Sequence, residues 1–496
     1  MRKKIAIVLA AFMAAGTCAA PVWAQESAVV EEAQEAHVVE ACIVTEVLEW
    51  GETVTGVRIE YDDEIWSGAI RHDRYFQSYG TSDTRDISYV YVNNSGKPNE
   101  FEAYGKYVFL HFDNLTENGA KYLEQVAFNE ATGYREKLDT INVWQNHDIE
   151  TASEKIVKAV PGYASNEGMC ISASTELRTD VDKFTYVPFK TEEGLTETPI
   201  EFGYLLYVPE GYEAKSEDLE NVPLVVHFPS GDYANADFTG QYTGALYRHP
   251  DATVWASDAV QEEHPCFVVT IAANQYLRTN QPEIADWMEE TYVEMINEIA
   301  SNYNVDLSRI YGCSIGGGGT NLYNVALKNP EILAGYLMAG FDPLYAESWI
   351  YGDNDLERVR TNVEMMADTM NMWFFAGYYD PHGTASDPSG EGMGTGERMV
   401  KYGKQMIDEG LAFDYGFGEK GELMWNALLK GADAQAQAEE QIARAEANGL
   451  KNMITIYMPN TIPADPHWSW SHAFTNKGVQ EWLFDQVNDA PYTIGE

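Results

Sequence analysis

The chain has 496 residues, with 78 acidic side chains against 32 basic ones and a formal net charge of −46. Such a charge repels nucleic acid and anionic membrane surfaces, and it disfavours a polyanionic substrate. The length predicts two or three domains.

The first residues read as a secretory signal peptide over 1–24. Met1-Arg2-Lys3-Lys4 supply the charged start, Ile5 to Ala15 the apolar core, and Val22-Trp23-Ala24 the small-residue cleavage site. That core is too short to cross a bilayer, and no later apolar run is long enough. A lipid anchor at Cys18 is the alternative, though Thr17 is a poor residue before a lipidated cysteine. Residues 25–45 are acidic and rich in Ala, Val and Glu, and read as a leader with little stable structure. Cys42, Cys170, Cys266 and Cys313 show no metal-type spacing and read as free buried thiols.

Over 46–180 the pattern is β. "VTGVRIEY" (54–61), "ISYVYVN" (87–93) and "KYVFLHF" (106–112) alternate or are rich in β-formers, with Gly, Asn and Asp clusters between them. A small β-sandwich follows. Over 181–496 the texture changes. "FTYVPF" and "FGYLLYVP" read as antiparallel opening strands. Continuous apolar runs then alternate with helical segments: "PLVVHF" (223–228), "CFVVTIA" (266–272), "RIYG" (309–312), "GYLMAGF" (335–341), "MWFFAGY" (372–378) and "MITIYMP" (453–459). Ile284, Met288, Met295, Ile296 and Ile299 recur at helical spacing between them. This predicts an α/β domain with a mostly parallel sheet covered on both faces. The Ala/Glu/Gln-rich segment 421–448 is expected to be helical, and is long enough to flap over one end of the sheet.

Gly312-Cys313-Ser314-Ile315-Gly316 fits G-x-S-x-G, between a strand and the helical "GTNLYNVALKNP". A serine on such a strand-to-helix turn presents its hydroxyl above the sheet edge. No lysine follows the glycines, so a phosphate loop does not fit. A serine nucleophile needs a base and the base an orienter, in the chain order Ser, Asp or Glu, His. Asp380, ending "MWFFAGYYD", and His467, in "PHWSWSHAF", are the candidates; Asp387 and His472 are the substitutes. The oxyanion donors are expected from Ile315 and from Ser230 or Gly231, since Pro229 has no N–H. Trp468, Trp470 and Tyr378 flank the proposed triad as candidate substrate contacts. No metal or other cofactor is called for.

Taken together, "PLVVHF", "HPCFVVTIAANQ", Trp287, "VDLSRIYGCSIGGGG", "FFAGYYDP" and "HWSW" before "EWLFDQ" resemble secreted α/β-hydrolase esterases of the polyhydroxybutyrate-depolymerase and feruloyl-esterase type. "EWGETVTGVRIEYD" and "GKYVFL" resemble, more loosely, the Ig-like domain that precedes some of them. The resemblance implies a Ser314–His467–Asp380 triad acting through an acyl-enzyme. It also implies esters of short acyl groups or hydroxycinnamates, on plant polysaccharide or small molecules. Two departures are Pro229-Ser230, where the family usually has His-Gly, and Tyr311 running straight into Gly312, where the family usually has two more residues. An even-numbered deletion preserves the strand's alternation, so the turn is expected to survive at Ser314. A peptidase of the same fold and an inactive, glycan-binding relative are the competing readings.

Overall fold

A computed structural model describes residues 34–70, 76–79, 86–112, 126, 128–129, 133–159, 170–463, 465–490 and 492–494. The signal peptide and the leader up to residue 33 lie outside them. Four cysteines are described and all are free; Cys42, Cys266 and Cys313 are buried, whereas Cys170 is partly exposed. Among the described residues, no helix is long and apolar enough to cross a membrane.

The N-terminal unit is built on a five-stranded sheet. Its strands are β1 (Val38–Leu48), β2 (Gly51–Trp66), β3 (Ile87–Asn93), β4 (Tyr104–Phe112) and β5 (Thr175–Arg178), in the order β5-β1-β2-β4-β3. β1 corrects the leader expected over 25–45. Its Ile43 and Val44 are buried and it pairs with β2 along its length, which holds it in the sheet despite the acidic composition. Ile43, Val57, Ile59, Val108 and Leu110 of this sheet meet Ile141, Val143, Ile171 and Ala173 of a second, three-stranded one. Period-two alternation thus gives the sandwich its core.

The C-terminal unit carries nine strands: β6 (Thr185–Glu192), β7 (Ile200–Tyr207), β8 (Val222–Phe228), β9 (Phe267–Ala273), β10 (Val305–Ile315), β11 (Gly335–Ala339), β12 (Asn371–Gly377), β13 (Phe413–Gly416) and β14 (Asn452–Tyr457). Their order is β6-β7-β9-β8-β10-β11-β12-β14-β13. β6 and β7 are antiparallel and the rest of the sheet is parallel. Every residue of β8 and β9 is buried, as strands covered on both faces require. α1 (Pro282–Asn302) lays Ile284, Met288, Tyr292, Met295, Ile296 and Ile299 on one face. Trp255, Phe474 and Leu483 cover the other. This is the α/β-hydrolase architecture that the sequence predicts.

The segment 421–448 is no flap over the sheet's end. Its helix, Gly431–Ala447, bridges β13 and β14 and clamps them: Arg444 binds Asp414, and Gln441 donates to the carbonyl of Ile454.

The two units are locked by buried charge. Arg135 and Arg178 both bind Glu52 (2.8 and 3.0 Å), and Arg178 continues to Asp237 of the C-terminal unit at 2.7 Å. The hairpin residue Glu49 lies 2.9 Å from His472 and 3.3 Å from Lys430.

Candidate active site

β10 runs through Ile315, Gly316 and Gly317 form the turn, and α2 (Gly318–Lys328) follows. The strand-to-helix elbow therefore falls at residue 316, two positions beyond the serine. Gly316 has the positive φ of the turn, 43°. A Cβ at Gly316 would lie 3.2 Å from His467 Nε2 and 3.6 Å from Ser230 Oγ. A Cβ at Gly318 would run into the carbonyl oxygens of Phe228 and Pro229, so helix and sheet approach closely there only because it is glycine.

Ser314 is accordingly not at the elbow, which corrects the expected nucleophile. It is fully buried within β10, paired with Phe228 on one side and Met338 on the other, and its Oγ has no hydrogen-bond partner. Tyr311, Cys313 and Ile315 face one core layer and Ile310 the other, so alternation turns Ser314 sideways into the α1 side of the core rather than up to the cleft. Ile315, the expected oxyanion donor, lies before the elbow as well. Ile315 is locked in register with Ala339, and the N–H that follows the elbow is that of Gly317 at the start of α2.

The residues expected as base and orienter do come together. His467 Nδ1 lies 2.9 Å from Asp380 Oδ2, and the Asp380 side chain is fully buried. Burial would raise the Asp380 pKa, but hydrogen bonds from His382 and His467 hold it below its ordinary value. His382, which the sequence reading missed, donates its backbone N–H to Asp380 Oδ1 at 3.0 Å and places Nδ1 3.1 Å from the same oxygen. Its ring stacks on His467 with centroids 3.8 Å apart. Its position two residues after Asp380, across Pro381, was the available signal. Asp380, His382 and His467 also form a group with one ligand atom each within 4.8 Å, but both Nδ1 atoms are already committed to the carboxylate.

The hydrogen bond to Asp380 raises the His382 pKa above its ordinary 6.5. A raised histidine contributes stability that is complete below its unfolded-state value and fades as pH rises through the folded one. The side chain is 49% exposed, so the effect is expected to stay below about 1 kcal/mol. Urea unfolding at pH 6 and pH 9 is expected to show a larger loss in the wild type than in His382→Gln; equal losses would exclude the pairing.

The substitutes are otherwise engaged. Asp387 accepts from Ser389, from the Met393 N–H and from Tyr402, which hold its pKa down against the effect of burial. His472 faces Glu49 across the domain interface. Trp470 is 2% exposed and stands edge-on beneath His467 at 5.0 Å, so it is a wall of the core and not the expected substrate contact. Trp468 is half-buried beside His249, and Tyr378 half-buried between Tyr379 and Phe417. Ser230 and Gly231 sit at the start of a short turn after β8. Gly231 is pressed against Tyr276, 2.9 Å from where its Cβ would be.

Residues 40–158 match the family model described as the esterase Ig-like N-terminal domain. A comparison with curated proteins gave no match. Among solved structures the chain is similar to a thermostable esterase, at 21% identity and a TM-score of 0.59, over 91% of this chain and 100% of that one. A feruloyl esterase module from Clostridium thermocellum, solved with sinapinate, is 10% identical over 63% of this chain and 92% of its own, with a TM-score of 0.34. An S-formylglutathione hydrolase from Agrobacterium tumefaciens is 13% identical over 62% of this chain and 96% of its own, with the same score of 0.34. A stretch that matches the esterase Ig-like domain model thus precedes a unit with the α/β-hydrolase fold.

Proposed function

We propose that the chain hydrolyses carboxylic esters in the cleft above Gly316, with His467 as general base and Asp380 as its orienter. The observation that carries this reading is the aim of His467: Nδ1 is held by a buried carboxylate while Nε2 faces the elbow, 3.2 Å from the Cβ position of residue 316. In this scheme Nε2 takes the proton of an oxygen nucleophile as it adds to the ester carbonyl, and returns it to the leaving alcohol. Asp380 fixes the ring's tautomer and stabilises its cation. The N–H groups of Gly317 and Gly231 lie on the two loops that border the elbow, where an oxyanion forms. The net charge of −46 favours neutral or cationic esters over polyanions. Export through the signal peptide and the esterase-type N-terminal domain support short-acyl or hydroxycinnamoyl esters outside the cell.

A second reading, ligand binding without turnover, is favoured by one observation: the elbow residue has no side chain. p-Nitrophenyl acetate separates the two. The hydrolase reading expects turnover that His467→Ala lowers by about 100-fold or more. Background rates from both proteins would leave binding alone.

A further inference from the structure

With glycine at 316, His467 Nε2 and Ser230 Oγ approach the same point of the elbow from different loops, 3.2 and 3.6 Å from where a Cβ would sit. Ser230 is placed unusually for a serine. It opens the short turn Gly231–Ala234, where a serine hydroxyl ordinarily caps the free N–H groups, yet its side chain makes no capping bond. The residue is partly exposed, and its Oγ lies by the elbow, 3.6 Å from the Cβ position of Gly316 and 3.9 Å from that of Gly317. Pro229 before it fixes φ on that side of the turn and carries no N–H to compete for the hydroxyl.

We infer that Ser230 supplies the nucleophile that the elbow lacks. The inference rests on the hydrolase reading above. Its Oγ lies 3.6 Å from the space that a Cβ at 316 would fill, and its single side-chain torsion has further staggered positions. The Oγ–H proton passes to His467 Nε2 as the Oγ–C bond to the ester carbonyl forms. The carbonyl–alkoxy bond then breaks, and the departing oxygen takes the proton from Nε2. A water next gives a proton to Nε2 and its oxygen to the acyl carbon. The Oγ–C bond breaks, Ser230 recovers its proton and the carboxylic acid leaves. The balance closes without metal or redox partner.

The test uses the full mature chain, a fluorophosphonate probe and p-nitrophenyl acetate. One label per chain is expected, on the peptide containing Ser230. Ser230→Ala is expected to lose the label and to fall to the turnover of His467→Ala, while Ser314→Ala keeps both. Ser230→Cys retains a nucleophile at the same place, and is expected to accumulate a thioester visible in the intact mass. Turnover that survives Ser230→Ala in a folded protein but not His467→Ala would overturn the inference, assign attack to water, and leave the hydrolase reading standing. A label on Ser314 would overturn it as well. Absence of both label and turnover in the wild type would remove the hydrolase reading itself.

Discussion

Gly316→Ser is expected to create a serine hydrolase elbow and to raise ester turnover by at least about 100-fold. The size is bounded by the reverse experiment: removing the serine of a hydrolase triad costs about 10⁶ in turnover, and Ser230, attacking from a neighbouring loop, recovers only part of that. Here the rest of the constellation is already assembled. The buried Asp380 holds His467, and Nε2 faces the point where a Cβ would be attached, at 3.2 Å. Two costs keep the gain below the full factor. A non-glycine residue at φ 43° is strained by about 1–2 kcal/mol. A Cβ at 3.2 Å also obliges the imidazole to yield by a few tenths of an ångström. Fluorophosphonate labelling followed by peptide mapping gives the direct readout: in the variant the label is expected on residue 316. A folded Gly316→Ser protein that neither labels there nor accelerates would show that the elbow has been misplaced.

The same stretch shows where sequence reading succeeds and where it stops. The apolar runs that predict the parallel sheet are strands within a few residues of their expected ends, because burial on both faces demands unbroken hydrophobic sequence. Asp380 and His467 are legible for a related reason: each follows the end of a parallel strand, where such sheets bind ligands. The nucleophile position is not legible. G-x-S-x-G specifies spacing, but the chemistry depends on where the strand ends. Four consecutive glycines let the turn slide by two residues without changing the pattern on either side. The two residues missing between Tyr311 and Gly312 were the warning, but a shift of two preserves the inward and outward alternation of β10, so the core itself does not reveal which serine or glycine meets the elbow. β1 was hidden differently. Its Glu40, in the acidic stretch 25–45, made it read as a solvated leader, whereas Ile43 and Val44 of that stretch are buried in the sheet. His382 was missed although its place two residues after Asp380 was a signal, because spacing alone does not show that its ring stacks on His467 and shares the carboxylate.

Glu52→Gln is expected to destabilise the protein by about 3–5 kcal/mol, the cost of removing one partner from a buried ion pair. Glu52 is almost fully buried and binds two guanidinium groups that are themselves nearly inaccessible, Arg135 and Arg178. Burial alone would raise its pKa, but Arg178 and Arg135 hold it below the usual 4.5. The neutral amide leaves Arg135 with Glu176 alone and Arg178 with Asp237 alone, so two desolvated cations lose most of their compensation. The charge of Glu52 has a definite pH signature. Its contribution is present above the unfolded-state value and is lost as pH falls through the folded one, so the variant is expected to show a shallower acid limb below pH 4.5. The break also reaches the cleft. Glu49, three residues before Glu52, contacts His472 on the segment that carries His467. Loosening the interface is therefore expected to lower turnover as well as stability. Guanidinium unfolding followed by tryptophan fluorescence, with ester turnover assayed in parallel, tests both. A loss of stability under about 1 kcal/mol would mean that the network is neutral and that apolar packing alone holds the two units together.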